Sequence, residues 1–183
     1  MDTSSPDPRQ FRDTMGLLAT GIAVIIGRAE DEVLAMTVNA VSSLSLEPMM
    51  VLFCPGSRSR FAQRLDAMPD FTINFLRHDQ QALSTYFAGG WREPPPPFRF
   101  VPWRAAPRLE GTLASLDCER ERMVEAGDHW LVIGRVRKAH IGIAPHRPLL
   151  FFRGRYHGVD FTPGEPAPDL TAQDEPAQVF YGP

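Results

Sequence analysis

Alternation of apolar and polar side chains in short segments constrains the fold of this chain more than any other feature. Every second side chain from Leu34 to Ala40 is apolar, whereas Thr37 and Asn39 point the other way. Residues 71–76 repeat this alternation. A period of two is typical of β-strands that bury one face. The sequence therefore predicts a fold built mainly from strands.

Apolar runs and turn residues predict further strands, whereas helical spacing is rare. Strands are expected in five more segments: 22–26, 49–54, 109–118, 130–141 and 149–152. Short helices are expected in three: from Phe11 to before Gly21, over residues 58–68, and from Asp79, as the N-cap, to residue 89. Many strands with a few short flanking helices predict a mainly β fold, a closed or nearly closed antiparallel barrel.

Composition along the chain predicts one domain between two terminal extensions. The length of 183 residues suits a single domain with one core. Residues 1–8 are polar and proline-rich, so we expect a flexible arm followed by a domain over residues 9–158. Residues 159–183 are polar with scattered prolines and acids, which predicts a tail that is either disordered or wrapped over a partner subunit.

The segment 91–107 has no periodicity and contains four consecutive prolines at 94–97. Such a run favours a stiff polyproline stretch and excludes a central strand. Aromatic side chains flank the prolines and predict a loop that packs down on the domain: Trp91, Phe98, Phe100 and Trp103.

Charge and composition argue against nucleic-acid and membrane partners. The net charge is -3, without the large positive excess of a nucleic-acid-binding protein. No apolar run approaches the roughly 20 residues of a membrane span, and residues 1–8 lack the features of a signal peptide. Cys54 and Cys118 are far apart without metal-like spacing, so we expect no metal site and two buried thiols in a reducing, cytoplasmic setting.

No sequence motif supplies a catalytic nucleophile, a zinc ligand set or a phosphate-binding P-loop. An enzymatic activity would therefore depend on a bound cofactor that brings its own chemistry. Thr37 and Asn39 share one face of a strand, and a hydroxyl and an amide at that spacing can hydrogen-bond a ribityl chain or a phosphate. The alternative is a solvent-facing strand edge.

The segment 54–60 joins a buried strand to a predicted helix and is a candidate phosphate site. The segment offers backbone N–H groups, two hydroxyls and two guanidiniums, the groups that a phosphate site requires. The candidate residues are Cys54, Pro55, Ser57, Arg58, Ser59 and Arg60. The alternative is a capped helix with exposed arginines.

Two further segments could contact a ligand. His129 follows Gly127 and Asp128 at the start of a predicted strand, and its alternative is a structural histidine. Arg155 and Tyr156 follow the strand at 149–152 and could offer a cation to a dinucleotide, with a bulge or a charged surface turn as the alternative.

The order and spacing of these motifs resemble the flavin reductase-like family, which includes the small reductase components of two-component flavin-dependent monooxygenases. The resemblance runs from Phe11 to about Tyr156. It comprises residues 11–16, 19–24, 36–39, 42–48, 58–60, 71–76, 101–103, 109–111, 127–129 and 148–156. Phe61 departs from the family pattern, because members often have threonine there.

The resemblance implies a split β-barrel, an antiparallel Greek-key barrel, that binds FMN and acts as a homodimer with the flavin near the subunit interface. It implies that the flavin is lined by Met36, Thr37, Val38 and Asn39. It also implies that the segment 54–60 holds the phosphate, and that Phe87, Ala88 and Gly89 pass close to the cofactor. His129 would lie where the nicotinamide enters and act as the catalytic residue, with Arg155 and Tyr156 as further nicotinamide contacts.

The implied reaction is hydride transfer from NADH or NADPH to FMN, with FAD as the alternative flavin, and delivery of reduced flavin to a partner monooxygenase. Because the cofactor supplies the electrophile, the protein must mainly hold two rings together and exclude water. Two alternative hypotheses for the function are an electron carrier with a fixed flavin and a flavin-binding module without hydride chemistry.

Overall fold

A seven-stranded antiparallel sheet dominates the computed structural model, which describes residues 7–91, 94–143 and 147–159. The strands in chain order are β1 Thr20–Gly21, β2 Ala23–Ala29, β3 Glu32–Val38, β4 Val41–Leu46, β5 Met49–Phe53, β6 Asp70–Phe75, β7 Phe100–Val101, β8 Arg108–Leu109, β9 Ala114–Ala126, β10 His129–Ile141, β11 Leu149–Phe152 and β12 Arg155–Gly158. The α-helices are α1 Pro8–Met15 and α2 Gln81–Phe87, and two 3-10 helices cover Ala62–Ala67 and His78–Gln80.

The seven strands pair in the order β3-β2-β6-β9-β10-β5-β4, so β3 and β4 are the two edges of the sheet. These edge strands are also consecutive in the chain and are joined by Asn39 and Ala40 alone. A two-residue connection reaches only about 11 Å between the flanking Cα atoms. The sheet must therefore curl until its edges meet, and the backbone N–H of Cys54 donates to the Ala40 carbonyl at 3.1 Å there.

One apolar cluster fills the inside of the curled sheet. It draws Leu34 and Val38 from one edge strand and Phe53 from the strand next to the other edge. The ring of Phe53 lies 5.0 Å from that of Phe71, centroid to centroid, and both side chains are buried. The predicted mainly β architecture, a nearly closed antiparallel barrel, is confirmed.

A second apolar cluster covers the outer face of the barrel, where α2 and the sheet β1-β11-β12 pack. Val24 and Ile26 of β2 face this cluster, whereas Ile25 faces the inside. Because β2 is buried on both faces, its sequence is a continuous apolar run without alternation. The second cluster holds α2 and β12 against the barrel.

The long hairpin of β9 and β10 turns at Gly127 and Asp128. Gly127 has a φ of 63°, a conformation that glycine adopts without strain. The charged residues 119–122 lie within β9. This turn carries His129 at the tip of the hairpin.

Three helix predictions need correction. α1 ends at Met15, where the Gly16 N–H donates to the Arg12 carbonyl, rather than continuing towards Gly21. The helix predicted over 58–68 is a 3-10 helix, Ala62–Ala67, because residues 57–61 form turns and Pro69 follows closely. The predicted helix from Asp79 begins as the 3-10 helix His78–Gln80.

Asp79 does not cap that helix with its side chain. Its carboxylate accepts two hydrogen bonds from the Arg77 guanidinium, at 2.6 and 3.0 Å, and Arg77 is the residue before the helix. The Gln80 side chain accepts from the Arg77 backbone N–H at 2.9 Å instead. The ion pair also lowers the pKa of the Asp79 carboxyl.

Four strands were not predicted, namely β1, β4, β7 and β12, and one differs from its prediction. β4 is an edge strand with mostly exposed side chains, so it lacks alternating burial. β12 follows a turn at Arg153 and Gly154, and the strand predicted over 109–118 is divided into β8 and β9.

The terminal and proline-rich segments are only partly described. Residues 1–6 of the predicted arm lie outside the described residues, and Asp7 caps α1 through its side chain at 3.2 Å from the Arg9 N–H. Of the tail from 159 only Val159 is described. Phe98 and Phe100 pack against Phe87 in the second cluster, as expected for this loop. No helix among the described residues has the length and hydropathy needed to cross a membrane.

Replacing Gly134 tests how closely the barrel interior is packed. A Cβ at Gly134 would lie 2.4 Å from Cζ of the buried Phe71 ring, so we expect Gly134→Ala to lower the free energy of unfolding by about 1–3 kcal/mol. At Gly21 a Cβ meets nothing within 4 Å, and Gly21→Ala should change it by less than about 0.5 kcal/mol. Urea unfolding of both variants measures this, and equal effects would contradict the packing described.

Candidate functional site

Two distant segments of the chain meet at the tip of the β9–β10 hairpin. The backbone N–H and the hydroxyl of Ser57 donate to the Asp128 carbonyl at 2.9 and 3.0 Å. The Trp130 N–H donates to the Pro55 carbonyl at 2.9 Å, and Gly56 forms an isolated β-bridge with His129. The predicted phosphate segment and the predicted nicotinamide residue therefore lie side by side.

A cavity of about 290 Å³ lies between these segments. Its lining is Gly56, Arg58, Ser59, Asp128 and His129. The backbone N–H groups of Arg58 and Arg60 have no acceptor among the described residues. A guanidinium and unpaired N–H groups beside a cavity can bind an anion.

Asp128 holds the imidazole of His129. Nδ1 of His129 lies 2.7 Å from Oδ1 of Asp128, and this hydrogen bond lowers the pKa of the Asp128 carboxyl. Because the pKa is lowered, the contact exists above the ordinary pKa of aspartate and is lost as pH falls and the carboxyl takes up a proton. Nε2 remains on the Gly56 side, where an added Cβ would lie 3.8 Å from it.

Other polar groups of the segment 54–60 have local partners. The Ser59 hydroxyl accepts a hydrogen bond at 3.1 Å from the N–H of Ala62, the first residue of the first 3-10 helix. The Arg60 guanidinium forms an ion pair with Glu32 at the end of the β2–β3 hairpin. Burial raises the pKa of the Cys54 thiol, which therefore lacks the thiolate character of a reactive cysteine.

Arg60 faces a second cavity, of about 400 Å³, together with Phe87 and Gly89. Half of its ten lining residues are aromatic, and the ring centroids of Phe87 and Phe98 are 5.1 Å apart. Ala88 ends α2, and its backbone N–H donates to the Ser84 carbonyl. The structure thus brings Arg60 to the predicted Phe87–Gly89 segment and Arg58 to His129.

The four predicted residues of β3 and its end have different surroundings. Met36 and Val38 pack in the barrel interior, and the Thr37 hydroxyl donates to the Ser84 carbonyl at 2.7 Å. Asn39 is exposed at the end of the strand and lines a third cavity of about 400 Å³, beside Phe75. The hydrogen bond between Cys54 and Ala40 links this cavity to the beginning of the segment 54–60.

Arg155 and Tyr156 lie on opposite faces of β12. The Tyr156 hydroxyl is 3.0 Å from the Ser84 hydroxyl, and its ring packs on Phe151. Arg155 lines a fourth cavity, of about 430 Å³, with Phe152, Arg153 and His157. The side chains of Arg155 and Tyr156 therefore reach different surroundings, although the two residues are adjacent in the chain.

Sequence reasoning missed Ser84. Ser84 lies in α2 and is fully buried. Its carbonyl accepts a hydrogen bond from the Thr37 hydroxyl, and its hydroxyl is hydrogen-bonded to that of Tyr156, so it connects β3 with β12. The only signal in the sequence is a small polar residue beside Leu83 in a helix that packs on the barrel.

Thr72 and Asn74, on β6, were also missed as structural groups. Both are fully buried, and the Asn74 side chain donates to the Val24 carbonyl at 3.0 Å and accepts from the Leu109 N–H at 2.9 Å. The Thr72 hydroxyl donates to the Pro107 carbonyl at 2.7 Å. These bonds attach the segment after the proline run to the barrel.

The structure defines a class of mainly β proteins, in which a nearly closed barrel carries a guanidinium, an unpaired backbone N–H and a histidine around one cavity that can hold an anionic ligand. The family model described as flavin reductase like domain matches residues 15–160. The chain belongs to this family, as the sequence predicted.

Relatives and solved structures agree with this assignment. The reductase subunit HsaB of a flavin-dependent monooxygenase from Mycobacterium tuberculosis is 37% identical over 174 residues, covering 91% of each chain. The flavin reductase PheA2 in its native state has a TM-score of 0.80 at 36% identity, over 85% of this chain and 100% of that one. The NADH:FAD oxidoreductase SgcE6 of Streptomyces globisporus, in complex with NAD and FAD fragments, has a TM-score of 0.75 at 30% identity, over 88% and 99%.

Removing the Tyr156 hydroxyl tests the Ser84 connection. In Tyr156→Phe the buried Ser84 hydroxyl loses its partner, so we expect the free energy of unfolding to fall by about 1 kcal/mol. Tyr86→Phe is the control, because Tyr86 contacts Phe87 and Phe98 through its ring. Thermal or urea unfolding compares the two, and equal stability of both variants would contradict this role of Tyr156.

Proposed function

We propose that this protein is the reductase component of a two-component flavin-dependent monooxygenase. It transfers hydride from NADH, or NADPH, to FMN, with FAD as the alternative flavin, and a partner oxygenase takes the reduced flavin. The observation that carries the proposal is the relationship to a monooxygenase reductase subunit over nine-tenths of both chains.

The residues present fit a flavin phosphate. The Arg58 guanidinium lines the cavity at the hairpin tip and forms no ion pair with a described residue, and the Arg58 backbone N–H has no acceptor among those residues. Backbone N–H groups and a fork of guanidinium donors are the usual ligands of phosphate oxygens. We assign the segment 54–60 to the phosphate and the Asn39 cavity, linked to it through Ala40, to the ring.

When bound, the flavin supplies the hydride acceptor and reduced nicotinamide supplies the donor. His129 borders the cavity at the hairpin tip, with its ring fixed by Asp128, and we assign it to positioning the nicotinamide. A fixed ring at this place restricts the approach of the dinucleotide, and close alignment is what hydride transfer needs. No proton donor or acceptor of high strength is required from the chain.

Arg155 is assigned to the dinucleotide, since it stands with Arg153 and His157 around one cavity. Two guanidiniums and an imidazole can donate hydrogen bonds to the oxygens of a pyrophosphate. Tyr156, on the other face of β12, is assigned a supporting role through Ser84. We retain Met36, Thr37 and Val38 as the strand that presents Asn39. Phe87 and Gly89, with Ala88 between them in the chain, are retained as part of the wall of the neighbouring cavity that Arg60 also lines.

The homodimer implied by the family resemblance is part of the proposal. Three large apolar residues are each roughly half exposed here: Leu44 and Leu46 on the edge strand β4, and Met49 at the beginning of β5. An exposed apolar edge is a suitable surface for a second copy. Two free thiols favour a cytoplasmic location.

Steady-state NADH oxidation with free flavin as the acceptor tests the proposed function. We expect turnover of many equivalents of FMN or FAD per protein, at about 1–10³ s⁻¹. Reduction of one bound flavin without further turnover would indicate an electron carrier. No oxidation of NADH or NADPH would contradict the reductase function.

His129→Ala tests the assignment of the nicotinamide side. We expect hydride transfer to slow by about 10-fold or more, because the dinucleotide loses a fixed contact. Flavin affinity should change by less than about 2-fold. His140→Ala, at the other end of β10, should change neither. Stopped-flow reduction and flavin titration measure both quantities, and equal losses in rate and affinity would make His129 a structural residue.

Asn39→Ala tests the assignment of the ring cavity. The variant removes one hydrogen-bonding amide from an exposed position, so the flavin Kd should rise by about 3- to 10-fold while the fold is kept. Fluorescence quenching of FMN measures the Kd, and circular dichroism checks the fold. An unchanged Kd would mean that Asn39 serves only the strand end.

A further inference from the structure

The cavity that contains Asn39 has a second polar side chain, Thr20, which the proposed function has not used. The lining of this cavity is Leu18, Ala19, Thr20, Gly21, Ile22, Ala23, Asn39, Val41 and Phe75. Its volume of about 400 Å³ is within the range of small-molecule sites, and its walls are mostly apolar. Thr20 and Asn39 are the two side chains in this lining that can hydrogen-bond a ligand.

The Thr20 hydroxyl is buried without a hydrogen-bond partner. Among the described residues, Thr20 Oγ1 is the one buried side-chain oxygen or nitrogen with no partner. Other buried hydroxyls of this protein, such as those of Thr72 and Ser84, are bonded. Leaving a buried hydroxyl unpaired is costly, so an orphan in an otherwise satisfied structure calls for a functional explanation.

The surroundings of Thr20 leave room for a ligand. Thr20 and Gly21 form β1, which pairs with β11 and is the edge of the small sheet. Thr20 itself lines the cavity of about 400 Å³. Rotation about the Cα–Cβ bond to another staggered rotamer moves the Thr20 hydroxyl to a new position and can turn it towards a bound molecule.

We propose that Thr20 is a flavin-binding residue, whose hydroxyl hydrogen-bonds the polar edge of the flavin ring together with the Asn39 amide. The inference rests on the proposed function and adds one residue to its site. The pyrimidine edge of a flavin carries carbonyl oxygens and one N–H, and a hydroxyl can donate to the former or accept from the latter. The apolar walls, including Phe75 and Val41, suit the faces of a planar ring.

The test compares Thr20→Val, which replaces the hydroxyl by a methyl of similar size, with Thr20→Ser, which keeps the hydroxyl. In Thr20→Val the Kd for FMN should rise by about 3- to 10-fold, whereas Thr20→Ser should stay within about 2-fold of the wild type. Without flavin, Thr20→Val should unfold about 2–4 °C higher than the wild type, because an unpaired buried hydroxyl is removed. Thr14→Val, in the exposed part of α1, is the matched control and should leave the Kd unchanged.

Lower affinity with higher stability of the flavin-free protein is a combination that a purely structural threonine does not give. Wild-type affinity in Thr20→Val overturns the inference and leaves the proposed function intact. A lower unfolding temperature of flavin-free Thr20→Val also overturns it, because the hydroxyl then has a structural partner. If the wild type itself binds neither FMN nor FAD, both the inference and the proposed function fail.

Discussion

The two-residue connection between the edge strands of the main sheet is the constraint on which the rest of the structure depends. Asn39 and Ala40 alone join β3 to β4, and these strands stand at opposite ends of a seven-stranded order. A chain this short holds the edges together, so the sheet rolls round a single apolar interior. The same closure brings Asn39 close to the beginning of the segment 54–60, since Ala40 accepts a hydrogen bond from Cys54. The candidate flavin site thus lies where the barrel closes.

Buried polar groups hold the outer layer in position around that barrel. Asn74 bonds to β2 and β8 at once, and Ser84 joins α2 to β3 and to β12. Such bonds are directional, whereas the apolar clusters that they accompany are not, so they fix the places of the elements as well as adding stability. The hairpin tip with His129 is held to the segment 54–60 by Ser57 in the same manner. Polar contacts between distant segments therefore define the geometry of each cavity.

The sequence predicted the family, the mainly β fold and most of its strands, because alternation and apolar runs report directly on burial. It did not predict β4, since an exposed edge strand such as this has no alternating burial. The local pattern also could not show that Arg58 and Arg60, two residues apart, face different cavities. Nor could it show that Arg155 and Tyr156 lie on opposite faces of one strand with different surroundings. The role of Ser84 depends on partners remote in sequence, and that of Thr20 on the absence of a partner, and a single sequence shows neither of these relationships.

The most direct test of this account is a crystal structure of the protein with FMN bound. The account predicts the phosphate at Arg58 and the N–H groups of the segment 54–60, and the ring in the cavity of Asn39 and Thr20. His129 would then stand beside the bound cofactor, on the side left for a nicotinamide. Flavin density in the aromatic cavity of Phe87 and Phe98, or density that leaves Arg58 and Asn39 without contact, would contradict the site described.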